Sequence, residues 1–147
     1  MSYFITVSKD SQTPFTGISV EYYPGRSVIQ KTIFKNGIKD GLYESFHSNG
    51  QLKTKGNFID GKEEGLQEKF FVNGQLQEKR NIENGKLVLH QTFDQESNSL
   101  KDLTYKDGKK TGLDVMFYKN GKLIKKENYK DGKQDGLSES YYDNGHL

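Results

Sequence analysis

Residues 41–64 read GLYESFHSNGQLKTKGNFIDGKEE. Leu42 and Phe46 stand an even distance apart, as do Leu52 and Phe58. That is the period of a strand, whose side chains alternate between two faces, and not of a helix. Ser48-Asn49-Gly50 and Ile59-Asp60-Gly61 interrupt the apolar runs. Glycine reaches the left-handed backbone region that tight hairpins need, so each triplet suits a three-residue loop closed by a glycine bulge. The stretch predicts strand, turn, strand, turn.

The same pattern recurs outward in both directions. Gly17, Gly41 and Gly65 are 24 residues apart, and so are Gly112 and Gly136. An Asn-Gly or Asp-Gly pair precedes four of these anchors: Asn36-Gly37, Asp60-Gly61, Asp107-Gly108 and Asp131-Gly132. Five residues after each anchor phase come Tyr22, Phe46, Phe70, Phe93, Phe117 and Tyr141. One residue after it come Ile18, Leu42, Leu66, Leu89, Leu113 and Leu137. Seventeen after it come Phe34, Phe58, Ile82, Tyr105 and Tyr129. Glycines and aromatics keeping phase together mark true repeats. The units are 17–40, 41–64, 65–87, 88–111 and 112–135, with a half repeat at 136–147 and a cap strand within 1–16. The third unit is one residue short between Gly85 and Val88. The fourth lacks its anchor glycine and carries DQESNS where the mid-repeat turn belongs, with Ser97 at the turn-glycine phase and Leu100 one residue late. A longer loop followed by a bulge would account for both.

A three-residue loop at Ser48–Gly50 puts Phe46 opposite Leu52 and Leu66 opposite Thr54. All phased apolar residues then fall on one face, with Phe46, Phe70 and Phe117 buried side by side. The predicted fold is all-β: a single-layer, twisted antiparallel meander of tandem hairpins, about 12 strands counting residues 3–7. A sheet of that width is too long to lie flat and should curl its apolar face inward. Stability would come mainly from neighbouring repeats.

Composition agrees. Only 31% of the 147 residues are apolar and the mean hydropathy is −0.90, yet nine Tyr and nine Phe supply large units of burial. This suits a thin, extended fold better than a thick core. The 22 basic and 20 acidic residues are interleaved and leave a net charge of +2, so electrostatic capture of nucleic acid is not expected. The absence of cysteine removes disulfides and thiolate chemistry and fits a reducing compartment. With no basic leader and no stretch of membrane-spanning length, the chain is expected to be cytoplasmic.

The units GLYESFHSNGQLKTKGNFIDGKEE, GLQEKFFVNGQLQEKRNIENGK and GLDVMFYKNGKLIKKENYKDGKQD resemble MORN repeats, in the bacterial variant found in YwqK-type antitoxins. TPFTGISVEYYPG resembles the usual first repeat of that group, so the resemblance covers about residues 13–147. It implies a meander of hairpins, and a protein that neutralises a partner toxin by binding it. MORN proteins of eukaryotes imply a second role, in scaffolding, dimerisation and lipid binding.

No constellation of residues points to catalysis. His47, His90 and His146 occupy different repeat positions, whereas a metal site or a nucleophile–base pair needs convergence. Glu44, Glu68 and Glu139 recur three after the anchor and are expected to pair with nearby Lys, Arg or Thr across strands. DGKEEG and DGKQDG lack the alternating oxygen ligands of a calcium loop, and turn chemistry explains their Asp-Gly. No enzyme activity, cofactor or metal is expected.

Candidate binding residues are more informative. Tyr23, His47, Phe71, Tyr118 and Tyr142 stand six after the anchor, with Asp94 breaking the row. They should point away from the core residues beside them, either as an interface or as aromatics that stiffen the sheet. Asp94, Glu96 and Asp102 of the irregular unit offer an acidic patch suited to a basic toxin surface. The reading is a non-catalytic protein-binding module, an antitoxin or immunity protein acting by occlusion. The alternatives are a scaffold that self-associates through sheet edges and a membrane-surface binder, the latter disfavoured by the balanced charge.

Overall fold

The computed structural model describes residues 13–95, 99–118, 120–142, 144 and 146. The strand expected at residues 3–7, Glu96, Ser97, Gly145 and Leu147 lie outside the described residues. The fold is all-β, with no helix among the described residues, and every recorded strand pairing is antiparallel. Two compact units divide the chain at Leu76 and Gln77. The first holds β1 (Gly17–Tyr22), β2 (Val28–Lys35), β3 (Ile38–Phe46), β4 (Leu52–Ile59), β5 (Lys62–Glu63) and β6 (Gly65–Phe70). The second holds β7 (Leu76–Glu83), which starts at the boundary, β8 (Lys86–Asp94), β9 (Ser99–Lys106), β10 (Lys109–Lys110), β11 (Gly112–Tyr118), β12 (Leu123–Lys130) and β13 (Lys133–Ser140). Within each unit the strands pair in chain order. The short strands β5 and β10 are first turns of β6 and β11, cut off at Gly65 and Gly112. Counted with them, they leave eleven strands, the expected twelve less residues 3–7.

The turns between repeats differ from expectation. Ile59 pairs with Lys62, so Asp60-Gly61 is a two-residue loop rather than part of a three-residue one. Asn36-Gly37, Asn84-Gly85, Asp107-Gly108 and Asp131-Gly132 are built alike. In all five the Asn or Asp has φ of 49–53° and the Gly 71–84°. Two successive positive φ values make a type I′ turn, whose twist matches that of the strands it joins. The residue this saves is spent at the anchor. Phe34 pairs with Lys39 but Thr32 with Tyr43, so Ile33 faces Asp40, Gly41 and Leu42 together. Gly41, at φ 121°, lets the chain fold into that bulge. Around Val88 the register slips by only one, from Ile82–Leu87 to Asn81–Leu89. The missing residue of the third unit is therefore a smaller bulge where the anchor glycine is absent.

The mid-repeat turn is the expected three-residue loop. The Gly50 N–H donates to the His47 carbonyl at 2.8 Å, the His47 N–H to that of Gln51 at 2.8 Å, and Gly50 has φ 84°. Phe46 faces Leu52, as predicted. Ser45, however, faces Thr54, which leaves Lys53 as an extra residue. That bulge inverts the alternation for the rest of β4. Phe58 pairs with Gly41 and meets Tyr43 edge-on at 6.0 Å, on the face opposite Leu42 and Phe46. The phased apolar residues are thus split between two faces instead of sharing one. Thr54 pairs with Lys69, not Leu66.

In the first unit, taken by itself, the face called A carries Thr32, Tyr43, Ser45, Gly56, Phe58 and Gln67; in the second unit, taken by itself, the face called A carries Ile82, Leu103, Asp114, Glu127 and Tyr129. Face B carries Leu42, Glu44, Phe46, Lys55 and Phe70, and in the second unit Phe93, Leu100, Leu113 and Phe117. The buried side chains are on face A: Thr32, Ser45, Gln67, Ile82, Ser99, Leu103, Asp114 and Glu127. Phe46, Phe70 and Phe117 are only half-buried. Ile18, Leu42, Leu66, Leu113 and Leu137 are exposed on face B. Among the described residues no large side chain is fully buried. Among the described residues no opposing layer closes over either face of a unit.

The irregular fourth unit keeps an unbroken ladder from Leu89–Thr104 to Asp94–Ser99. No bulge follows its loop, contrary to expectation. Asp94 pairs with Ser99 with four residues of sequence between them, one more than at the regular mid-repeat turns, and the ladder beyond has no bulge. Leu100 is therefore late while Tyr105 and Gly108 stay in phase.

Candidate functional site

Tyr23, His47, Phe71, Tyr118 and Tyr142 each open a mid-repeat turn. Their N–H groups donate across the turn at 2.8–2.9 Å to the carbonyls of Ser27, Gln51, Gln75, Lys122 and His146. Tyr23, His47 and Phe71 lie on face A of the first unit, and Tyr118, opposite Ser99, on face A of the second. In the first unit Tyr23, His47 and Phe71 recur on alternate strands, about 10 Å apart. The His47 Nε2–H donates to the Phe70 carbonyl at 3.0 Å, and Asn49 Nδ2 to that of Val72 at 3.0 Å, so adjacent hairpin tips are tied together. The row does point away from Phe46 and Phe70. It lies, however, on the face that holds the buried positions, and apart from Tyr142, 69% exposed, it is half-buried.

In the second unit Asp94 takes the place of one aromatic. Asp94 pairs with Ser99, and Ser99 with Tyr118. The short side chain leaves a cavity of about 460 Å³ between the hairpin tips. Thr92, Asp94, Ser99 and Lys101 give it polar walls, and Met116, Tyr118 and Ile124 give it apolar ones. Asp102 sits on face B between Gln91 and Val115. Gln91 Nε2 donates to its Oδ2 at 3.0 Å, while its Oδ1 is buried with no hydrogen-bond partner among the described residues. The structure brings Asp94 and Tyr118 together and places Asp102 on the opposite face, away from both.

The buried polar row of face A was not anticipated from the sequence. Asp114 is 7% exposed and paired with the Lys110 ammonium, which stands 3.6 Å from the Tyr129 ring centre. Burial works against the Lys110 charge, but bonding to Asp114 and Tyr129 prevails and raises its pKa. Glu127 accepts from Lys125 Nζ at 2.9 Å and from the Ser138 and Tyr129 hydroxyls at 3.3 Å. The Lys125 bond, foremost, holds its carboxyl below the ordinary value. His90 donates to Glu78 at 2.8 Å, far in sequence from His47 and His146. These positions change residue type from repeat to repeat, so no periodic signal betrays them. Glu44 stands between Lys31 and Lys55 in register, Glu68 beside Lys55, and Glu139 beside Lys126, so each has a lysine as cross-strand neighbour. Among the described residues no group of three His, Asp or Glu is placed to hold a metal ion, and no helix is long and apolar enough to cross a membrane.

The family model described as the MORN repeat variant matches residues 39–60, 63–84, 110–131 and 134–147, more than half of the chain. The matches skip residues 85–109, where the anchor glycine and the regular turn are missing. No curated protein matches the chain.

Proposed function

The chain belongs to the MORN repeat variant family, and from that premise we infer that it is a non-catalytic binding module whose protein partner docks on face A at the Asp94–Tyr118 notch. MORN repeats commonly bind proteins or membranes. The observation that carries the reading is the notch itself. A uniform repeat offers the same surface at every turn, whereas this cavity occurs where one aromatic is replaced by Asp94. Its mixed lining suits an inserted apolar side chain flanked by a basic group, which Asp94 would meet. The partner we propose is a toxin, neutralised in the cytoplasm by occlusion. This finer reading draws on the likeness of the repeat units to the bacterial antitoxin group.

A photo-crosslinking amino acid at Tyr118, introduced in the native host, tests it. The captured protein should be toxic when expressed alone and harmless when co-expressed with the chain. Asp94→Tyr, which restores the aromatic row and fills the notch, should weaken binding at least tenfold with no loss of melting temperature. A captured protein whose expression is harmless would refute the antitoxin role. Undiminished binding by Asp94→Tyr would refute the notch.

A further inference from the structure

Face B of the first unit is arranged in three rows across the strands. The middle row reads Lys31, Glu44, Lys55, Glu68 on β2, β3, β4 and β6, each facing the next in register. Its charges alternate plus, minus, plus, minus. One flanking row contains Ile33, Leu42, Asn57 and Leu66, with Leu42 39% and Leu66 42% exposed. The other contains Val28, Phe46, Leu52 and Phe70. Among the described residues no second layer lies over these apolar side chains.

An alternating row of four has a particular symmetry. Reversed end to end, it becomes its own charge complement. We propose that face B of residues 28–70 is the contact surface for a second copy of this chain, stacked face to face about a two-fold axis parallel to the strands. With the axis between β3 and β4, Lys31 lies over Glu68 of the second copy and Glu44 over its Lys55. The same operation sets Ile33 over Leu66, Phe46 over Leu52 and Val28 over Phe70. Phe46 and Phe70 thus each meet a smaller residue, as interdigitating sheets require. Every contact occurs twice, as in any isologous interface. The corresponding row of the second unit, Lys79, Gln91, Asp102, Val115, Lys126 and Glu139, lacks this alternation. The pairing is therefore specific to the first unit, and it leaves face A free.

Four strands at about 4.8 Å and six residues at about 3.3 Å give a face of roughly 20 by 20 Å per copy. Two such faces cover roughly 800 Å², the size of a weak, transient interface, so a dimer Kd on the order of 100 µM is expected. Asn57 opposite Leu42 of the second copy keeps it from being tighter.

Sedimentation velocity on the full chain, across concentrations bracketing that value, is the test. The parent should pass from monomer to dimer, less readily in high salt. Lys31→Glu with Lys55→Glu makes the row wholly acidic, and Glu44→Lys with Glu68→Lys makes it wholly basic. Each should dimerise at least tenfold more weakly, and an equimolar mixture should form heterodimers more tightly than either forms homodimers. Circular dichroism checks that both fold. If one does not, Lys31→Gln with Lys55→Gln replaces it, with a several-fold weakening expected. A parent that stays monomeric would overturn the proposal, as would variants that dimerise as well as the parent.

Discussion

Gly56 lies on β4 in the buried row of face A, paired with Tyr43. A Cβ there would stand 1.7 Å from Gln67 Oε1 and 2.7 Å from its Cδ. The Gly56 backbone is not in the left-handed region, so Gly56→Ala introduces no backbone strain. Its whole effect passes through Gln67. That side chain is 7% exposed and donates from Nε2 to the carbonyls of Asn57 at 2.9 Å and Glu64 at 3.2 Å. Expelling it removes two hydrogen bonds worth about 1 kcal/mol each. The loss of glycine freedom in the unfolded chain returns about 0.5–1 kcal/mol. A net destabilisation of about 1–1.5 kcal/mol results, or roughly 3–6 °C in melting temperature for a chain of this size. In a Gln67→Ala background the clash is absent, and Gly56→Ala should stabilise by about 0.5–1 kcal/mol. Urea denaturation of the four proteins, followed by circular dichroism, gives the coupling energy. Equal losses in both backgrounds would refute the argument, because Gln67 would not then be what Gly56 accommodates.

Two glycines at the bulges should respond differently. Gly41→Ala, with φ 121° and a Cβ 3.1 Å from that of Ile33, should cost about 2–3 kcal/mol. Gly65→Asn, with φ 71° and open space, should stay within about 1 kcal/mol, both by thermal melts. Asp114→Asn leaves Lys110 without its counter-charge and should destabilise by roughly 2–3 kcal/mol, below the fully buried range because Lys110 retains some water contact. Adding Lys110→Met should recover most of that loss in chemical denaturation. The depressed Glu127 pKa stabilises the fold above the ordinary carboxylate value of 4.5, and this contribution fades as pH falls through the lower folded value. Glu127→Gln should therefore lose stability at neutral pH and converge on the parent in acid, as read from melting temperature against pH.

The strand–turn order and the all-β class were legible because glycine and aromatic residues keep phase. The assignment of faces was not. Leu52 and Phe58 stand an even number apart, which implies a shared face, but Lys53 is absorbed in a bulge between them and reverses the parity. Periodicity reports alternation only along an unbroken ladder. The five type I′ turns were announced by Asn-Gly and Asp-Gly, yet their two-residue length was hidden because the spare residues reappear at the anchor glycine. Of the candidate site, the turn-opening aromatics and Asp94 were found by phase, and the notch opens where one of those aromatics is missing. Asp102 was grouped with Asp94 by proximity in sequence, although eight residues along a hairpin can end on either face. The interior of face A was invisible because Thr32, Gln67, Asp114 and Glu127 are polar, and composition patterns mark interiors only where they are apolar.

A sheet with no fully buried large side chain among its described residues unfolds without releasing much oily surface into water. Newly hydrated apolar area is what makes the heat capacity rise on unfolding, by about 12–15 cal/mol/K per residue in ordinary domains. This protein should fall well below that figure in calorimetry. Its free energy of unfolding would then trace a shallow arc against temperature instead of a steep dome. Modest stability would be held nearly level over a broad thermal range, and cold denaturation would lie far below freezing.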